Sequence, residues 1–161
     1  MFHALALIRN GELDELRRLL DRAVAGRWNG IRFFGSWHFV GDDRYRFSMV
    51  DPNWFEWMST LEQELLRVQL YGECSLICDG QVLLPSDLFR IEYIESVADW
   101  MKARPAFFAT IVNEARKNGF PEADDWSVLD LVRRFNAINR TTLLGASDPL
   151  DSGQEGQSNA A

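Results

Sequence analysis

The sequence predicts an α+β fold: one domain over residues 1–144, followed by a disordered acidic tail at 145–161. Three observations carry this expectation. The apolar residues recur at helical spacing in some stretches and at every second position in others. The chain is 47% hydrophobic and 25% charged, the balance of a single water-soluble core. From Gly145 onward large apolar side chains all but vanish.

The expected order is an N-terminal helix, an aromatic β-hairpin, an acidic helix, a three-stranded β-meander and a C-terminal three-helix bundle packed on the sheet. Residues 2–9 can form a short helix ended by Asn10-Gly11. An amphipathic helix follows over 12–25, with Leu13, Leu16, Leu20 and Val24 at helical spacing and Gly26 as its stop. The segment from Ala6 to Ala23, with its Asn10-Gly11 turn, superficially resembles the second half of an ankyrin repeat. No second copy follows, and a solenoid needs about three units for a continuous core, so a repeat architecture is excluded.

From Ile31 the period becomes two. Ile31, Phe33, Gly35, Trp37 and Phe39 share a face that Tyr45, Phe47 and Met49 continue beyond the Gly41-Asp42-Asp43 turn. A three-residue loop pairs Phe39 with Tyr45 and Trp37 with Phe47, keeping the rings together. Asp51-Pro52 then signals a helix start. The helix runs to about Leu70 on the stripe Trp54, Met58, Leu61, Leu65 and Val68, with Tyr71-Gly72 closing it.

Asp79-Gly80 is a strong short hairpin signal, because a type I′ turn needs positive φ at both central residues; it separates 73–78 from 81–84. The alternating run 88–94 predicts a third strand of the meander. Helices are then expected over 96–103, over 105–117 on Phe108, Ile111, Val112 and Ala115, and from Trp126 to about Leu143, with Asp124 or Asp125 as the last cap.

The chemistry is mostly that of exclusion. Cys74 and Cys78 are the only thiols. Four strand steps hold their Cα atoms roughly 13 Å apart, beyond disulfide reach, so both should be free in a reducing compartment. Neither a Cys-x-x-Cys nor a His-x-x-x-His pair is present, so no metal centre and no cofactor is expected. Ser36 and His38 share a strand face but stand about 7 Å apart, too far for a nucleophile and its base. The Gly-x-Ser-x-Gly elbow, the phosphate-binding loop and the dinucleotide fingerprint are all missing.

The formal charge is -7. A protein living on phosphate contacts is therefore not expected. No apolar run is long enough to span a bilayer and no leader pattern is present, so the expected location is cytoplasmic, with no membrane partner. The charge is blocky: residues 51–100 hold ten acids against two bases, and the tail holds three acids and no base.

That distribution predicts a noncatalytic acidic protein that binds another protein with a basic surface, such as a nucleic-acid-binding protein, without touching nucleic acid itself. Immunity proteins, phage-encoded antagonists and chaperones use this logic, because a negative field speeds encounter with a positive site. The candidate contact residues are Glu56, Glu62, Glu64, Glu73, Asp79, Asp87, Glu92, Glu95 and Asp99, with Trp57 or Tyr71 as an anchor. The alternative expectation is a small enzyme with His38, Arg44 and Arg46 in a cleft above the hairpin. A third is a homodimer joined through some of the twenty aromatic rings.

Overall fold

A computed structural model describes residues 3–37, 47, 51–78, 87–113 and 125–145. The fold mixes helix and sheet, as expected, but its sheet is parallel. The element order is α1 (Ala4–Arg9), α2 (Leu13–Ala25), β1 (Gly30–Phe34), α3 (Trp54–Val68), β2 (Tyr71–Ile77), α4 (Asp87–Met101), β3 (Phe107–Val112) and α5 (Asp125–Ile138). The strands lie in the order β1-β2-β3, with Gly30 beside Tyr71, Phe33 beside Cys74, and Cys74 beside Ala109. Parallel neighbours need a crossover, and α3 and α4 supply it.

Four expectations are corrected by this topology. The stretch 88–94 is not a third strand; with most of the helix expected over 96–103 it belongs to one helix, α4, which ends at Met101. Its buried residues Arg90, Tyr93, Ile94, Val97, Ala98 and Met101 recur at helical spacing, whereas the alternation of Phe89, Ile91 and Tyr93 against Arg90 and Glu92 suggested a strand. The helix expected over 105–117 is instead strand β3 up to Val112. A strand covered on both faces shows no apolar alternation; residues 106–112 are apolar except for Thr110, and Phe108, Ile111 and Val112 also fit a helical period. With two of its three helices recast in this way, the expected C-terminal bundle reduces to α4 packed on α5.

The third correction concerns Tyr71-Gly72, which opens β2 rather than closing a helix. α3 stops earlier, where Gln69 takes the left-handed conformation at φ 58 and its N–H bonds Leu65 and Leu66 carbonyls. The fourth is the meander. Asp79-Gly80 and the arm at 81–84 lie outside the described residues, but β2 is bonded by β1 on one side and β3 on the other. No edge of β2 is left for a hairpin arm.

Of the aromatic hairpin, Ile31 to Phe34 belongs to the parallel sheet. The expected Trp37–Phe47 pair is present as an antiparallel bridge, with both N–H···O bonds at 2.9 Å. The Phe39–Tyr45 pair lies outside the described residues.

Alternation along the strands gives the sheet two unlike faces. Ile31, Phe33, Cys74, Leu76, Phe107, Ala109 and Ile111 form an apolar face. α3 and α4 cover it: Trp100 lies 5.6 Å from the Phe107 ring, and a Cβ on Gly72 would stand 2.7 Å from Leu65 and 3.0 Å from Phe107. The opposite face carries Arg32, Phe34, Glu73, Ser75, Ile77, Phe108, Thr110 and Val112. Both cysteines are buried thiols outside any disulfide, and burial pushes the Cys74 thiol well up. Among the described residues no helix is long and apolar enough to cross a membrane.

Candidate functional site: a cleft at the amino ends of the strands

The parallel strands all start at one edge of the sheet, so the turns that enter them gather there. α4 ends at Met101 and a tight turn leads into β3, with the Arg104 N–H bonded to Met101 O at 3.0 Å and the Phe107 N–H to Arg104 O at 3.1 Å. Beyond α5 the chain returns to the same edge. The Ala109 N–H donates to Leu143 O at 3.0 Å and the Gly145 N–H to Ala109 O at 2.7 Å, so Leu143–Gly145 run beside β3.

Asn139 fastens these two walls. Its Nδ2 donates to Ala98 O at 3.0 Å on α4, and its Oδ1 accepts the N–H groups of Thr141 and Thr142, each at 3.0 Å. At 1% exposure the amide is sealed from water, so these bonds are unmatched by solvent.

Between the walls is a cleft of about 340 Å³ whose lining includes Tyr71, Lys102, Arg104, Phe108, Thr141 and Leu143. Tyr71 is 56% and Leu143 76% exposed at its rim. Arg104 is fixed from three sides. Its guanidinium carbon sits 3.9 Å above the Trp100 ring, its Nε donates to Trp100 O at 3.2 Å, and its Nη1 pairs with Glu62. The Lys102 ammonium pairs with Asp99 at 2.8 Å.

Three of the sequence-predicted residues therefore converge here in unlike roles. Tyr71 lines the cleft, whereas Glu62 and Asp99 are outside its lining and pair with its two cations. Glu64 goes elsewhere: it is 6% exposed between α2 and α3, accepting from Arg17 at 2.7 and 2.9 Å and from Arg67 at 2.8 Å. The Arg17 hydrogen bond holds the Glu64 carboxyl below its usual range against the opposing pull of burial, and Arg67 adds to it.

Glu73 lies on the polar sheet face, 3.2 Å from Arg32 Nε and accepting from the Thr110 hydroxyl at 2.7 Å. Arg32 reaches on to Ser75 Oγ at 2.9 Å and Asn113 Oδ1 at 3.1 Å. Glu95 pairs with Arg134 at 3.0 Å. Glu56 and Glu92 are exposed, without an ion pair among the described residues, and Trp57 packs half-buried against the core. Asp79, His38, Arg44 and Arg46 lie outside the described residues; Asp87 begins α4, its side chain outside them.

Five of the ten acids in residues 51–100 are thus paired with cations within the fold: Glu62, Glu64, Glu73, Glu95 and Asp99. Side chains that are described hold thirteen carboxylates and thirteen Lys or Arg, so the chain's -7 resides wholly in the remaining sequence. Lys102, Arg104, Asn139 and Thr141 were not singled out by the sequence. The one local signal is the Trp100–Arg104 spacing, which stacks a guanidinium on an indole within a helix and its following turn. Among the described residues no group of His, Cys, Asp and Glu is arranged to hold a metal ion. Comparison with protein-family models and with curated proteins gives no match.

Proposed function

We propose that this is a noncatalytic acidic binding protein that docks on the basic surface of another protein and inhibits or chaperones it. One juxtaposition supports this reading. All three strands run in one direction and end at one edge, at Phe34, Ile77 and Val112. The sequence following those ends carries Asp42 and Asp43, then Asp79 and Asp87, then Glu114, Glu122, Asp124 and Asp125. Against these eight acids stand Arg44, Arg46, Arg116 and Lys117. The segments that carry these acids each follow a strand end at one common edge of the sheet, and the side chains that are described are charge-balanced. An excess of acids in those segments favours encounter with a positive surface over a like-charged one.

The test is affinity capture from the native host with wild-type protein and with a variant carrying Asp42, Asp43, Asp79, Asp124 and Asp125 changed to Asn. The wild type is expected to retain a basic protein, with association that slows as salt is raised. The variant should associate at least tenfold more slowly and show a flatter salt dependence. Equal association by both proteins overturns the reading.

A further inference from the structure

At the edge where the strands start, the charged residues lining the cleft are both cations, and we infer that the cleft between Tyr71, Arg104 and Leu143 binds a small organic anion: a flat apolar body bearing a carboxylate or phosphate. Its volume of about 340 Å³ suits a small molecule. The walls are apolar and aromatic, with Tyr71, Pro105, Phe107, Phe108 and Leu143 among them, and the charged residues in the lining are Lys102 and Arg104. No carboxylate is among them. Glu62 and Asp99 pair with these cations and are not themselves part of the lining.

Arg104 commits Nε and Nη1 to Trp100 and Glu62, and its Nη2 has no partner among the described residues. A guanidinium anchored by stacking and by an ion pair loses little further freedom on meeting a ligand, which favours binding. The Lys102 ammonium spends one of its three donors on Asp99 and is half exposed. The exposed Tyr71 ring offers a face for stacking and a hydroxyl beside it.

The full-length protein would be titrated with phenyl phosphate, benzoate and benzylamine while backbone amide resonances are followed by NMR. Phenyl phosphate or benzoate should produce saturable shifts centred on residues 102–108 and 141–143, at least tenfold tighter than benzylamine. Lys102→Gln, which changes an exposed side chain, should weaken the anion several-fold and leave the amide spectrum otherwise native. Shifts spread evenly over the protein, or equal affinity for the anions and the amine, overturn the inference, as does unchanged anion affinity in the folded Lys102→Gln variant. Loss of docking at the acidic edge would leave these outcomes unaffected, so the two proposals fail separately.

Discussion

The two crossover helices do the same topological work and are held by different forces. α3 and α4 are each 15 residues long, and each carries the chain from one strand to the next across the apolar face of the sheet. α3 is tied outward to α2 by charge, through the chain of Arg17, Glu64, Arg67 and Asp21. α4 is tied by neutral bonds to backbone carbonyls: the Tyr93 hydroxyl donates to Leu76 O at 3.1 Å, and Asn139 reaches Ala98 O. An ion pair, Glu95–Arg134, also links α4 to α5, but both side chains are 39% exposed and water screens them. The Glu64 tie between α2 and α3 should therefore respond to acid, and the Asn139 tie to α4 should not.

Asn139→Ala should give the largest effect, a loss of about 3 kcal/mol in urea unfolding, because Ala98 O and two backbone N–H groups lose their partner. That loss should be the same at neutral and at acid pH. Glu64→Gln should cost about 2 kcal/mol at neutral pH, since two arginines are left facing one another across the α2–α3 contact.

Its pH dependence is the sharper measurement. The folded Glu64 carboxyl titrates below its ordinary value of 4.5, so its contribution is complete above the unfolded value and disappears as pH falls through the folded one. Wild type and Glu64→Gln should converge in stability on acidification. A gap that persists in acid would show that α3 is not held by this charge.

Gly72→Ala comes next, at about 1 to 2 kcal/mol, because the added methyl must displace the Leu65 side chain and press on Phe107 where α3 meets β2. Glu56→Gln and Glu92→Gln, on the outer surfaces of α3 and α4, should each change unfolding by less than about 0.5 kcal/mol. Larger losses at either would reveal a third tie.

The same two helices show how far the sequence could be read. α3 buries Trp54, Met58, Leu61 and Leu65 in one stripe and turns Glu56, Gln63 and Leu66 outward, so its period was legible even with Leu66 misplaced. In α4 the buried stripe contains Arg90, while Ile91 is only partly covered, and the helical signal cancels. Local alternation then looked like a strand. β3 was hidden for the complementary reason: a strand apolar on both faces has no period of its own.

Once 88–94 and 105–112 exchanged their types, the parallel order followed, because β2 with helices before and after it cannot sit in a meander. The Trp37–Phe47 contact was legible because ring pairing fixes register locally. At the cleft, only Tyr71 could be named in advance. The walls are brought together by bonds that cross 39 to 42 residues of chain, from Arg104 to Glu62, Asn139 to Ala98 and Thr141 to the Lys102 carbonyl, and no short window contains them.

Placing β2 between two partners also constrains how the molecule must assemble. Arg32 and Ser75 are 43 residues apart, and Thr110 and Glu73 are 37. Neither seam can zip from a tight turn, and each demands closure of a long loop before any ladder bond compensates the lost chain entropy. Formation of the native state should therefore be slow relative to a helical bundle of this size. Its rate should respond most to changes in the strand common to both loops, which makes residues 71–77 the kinetic centre of the chain.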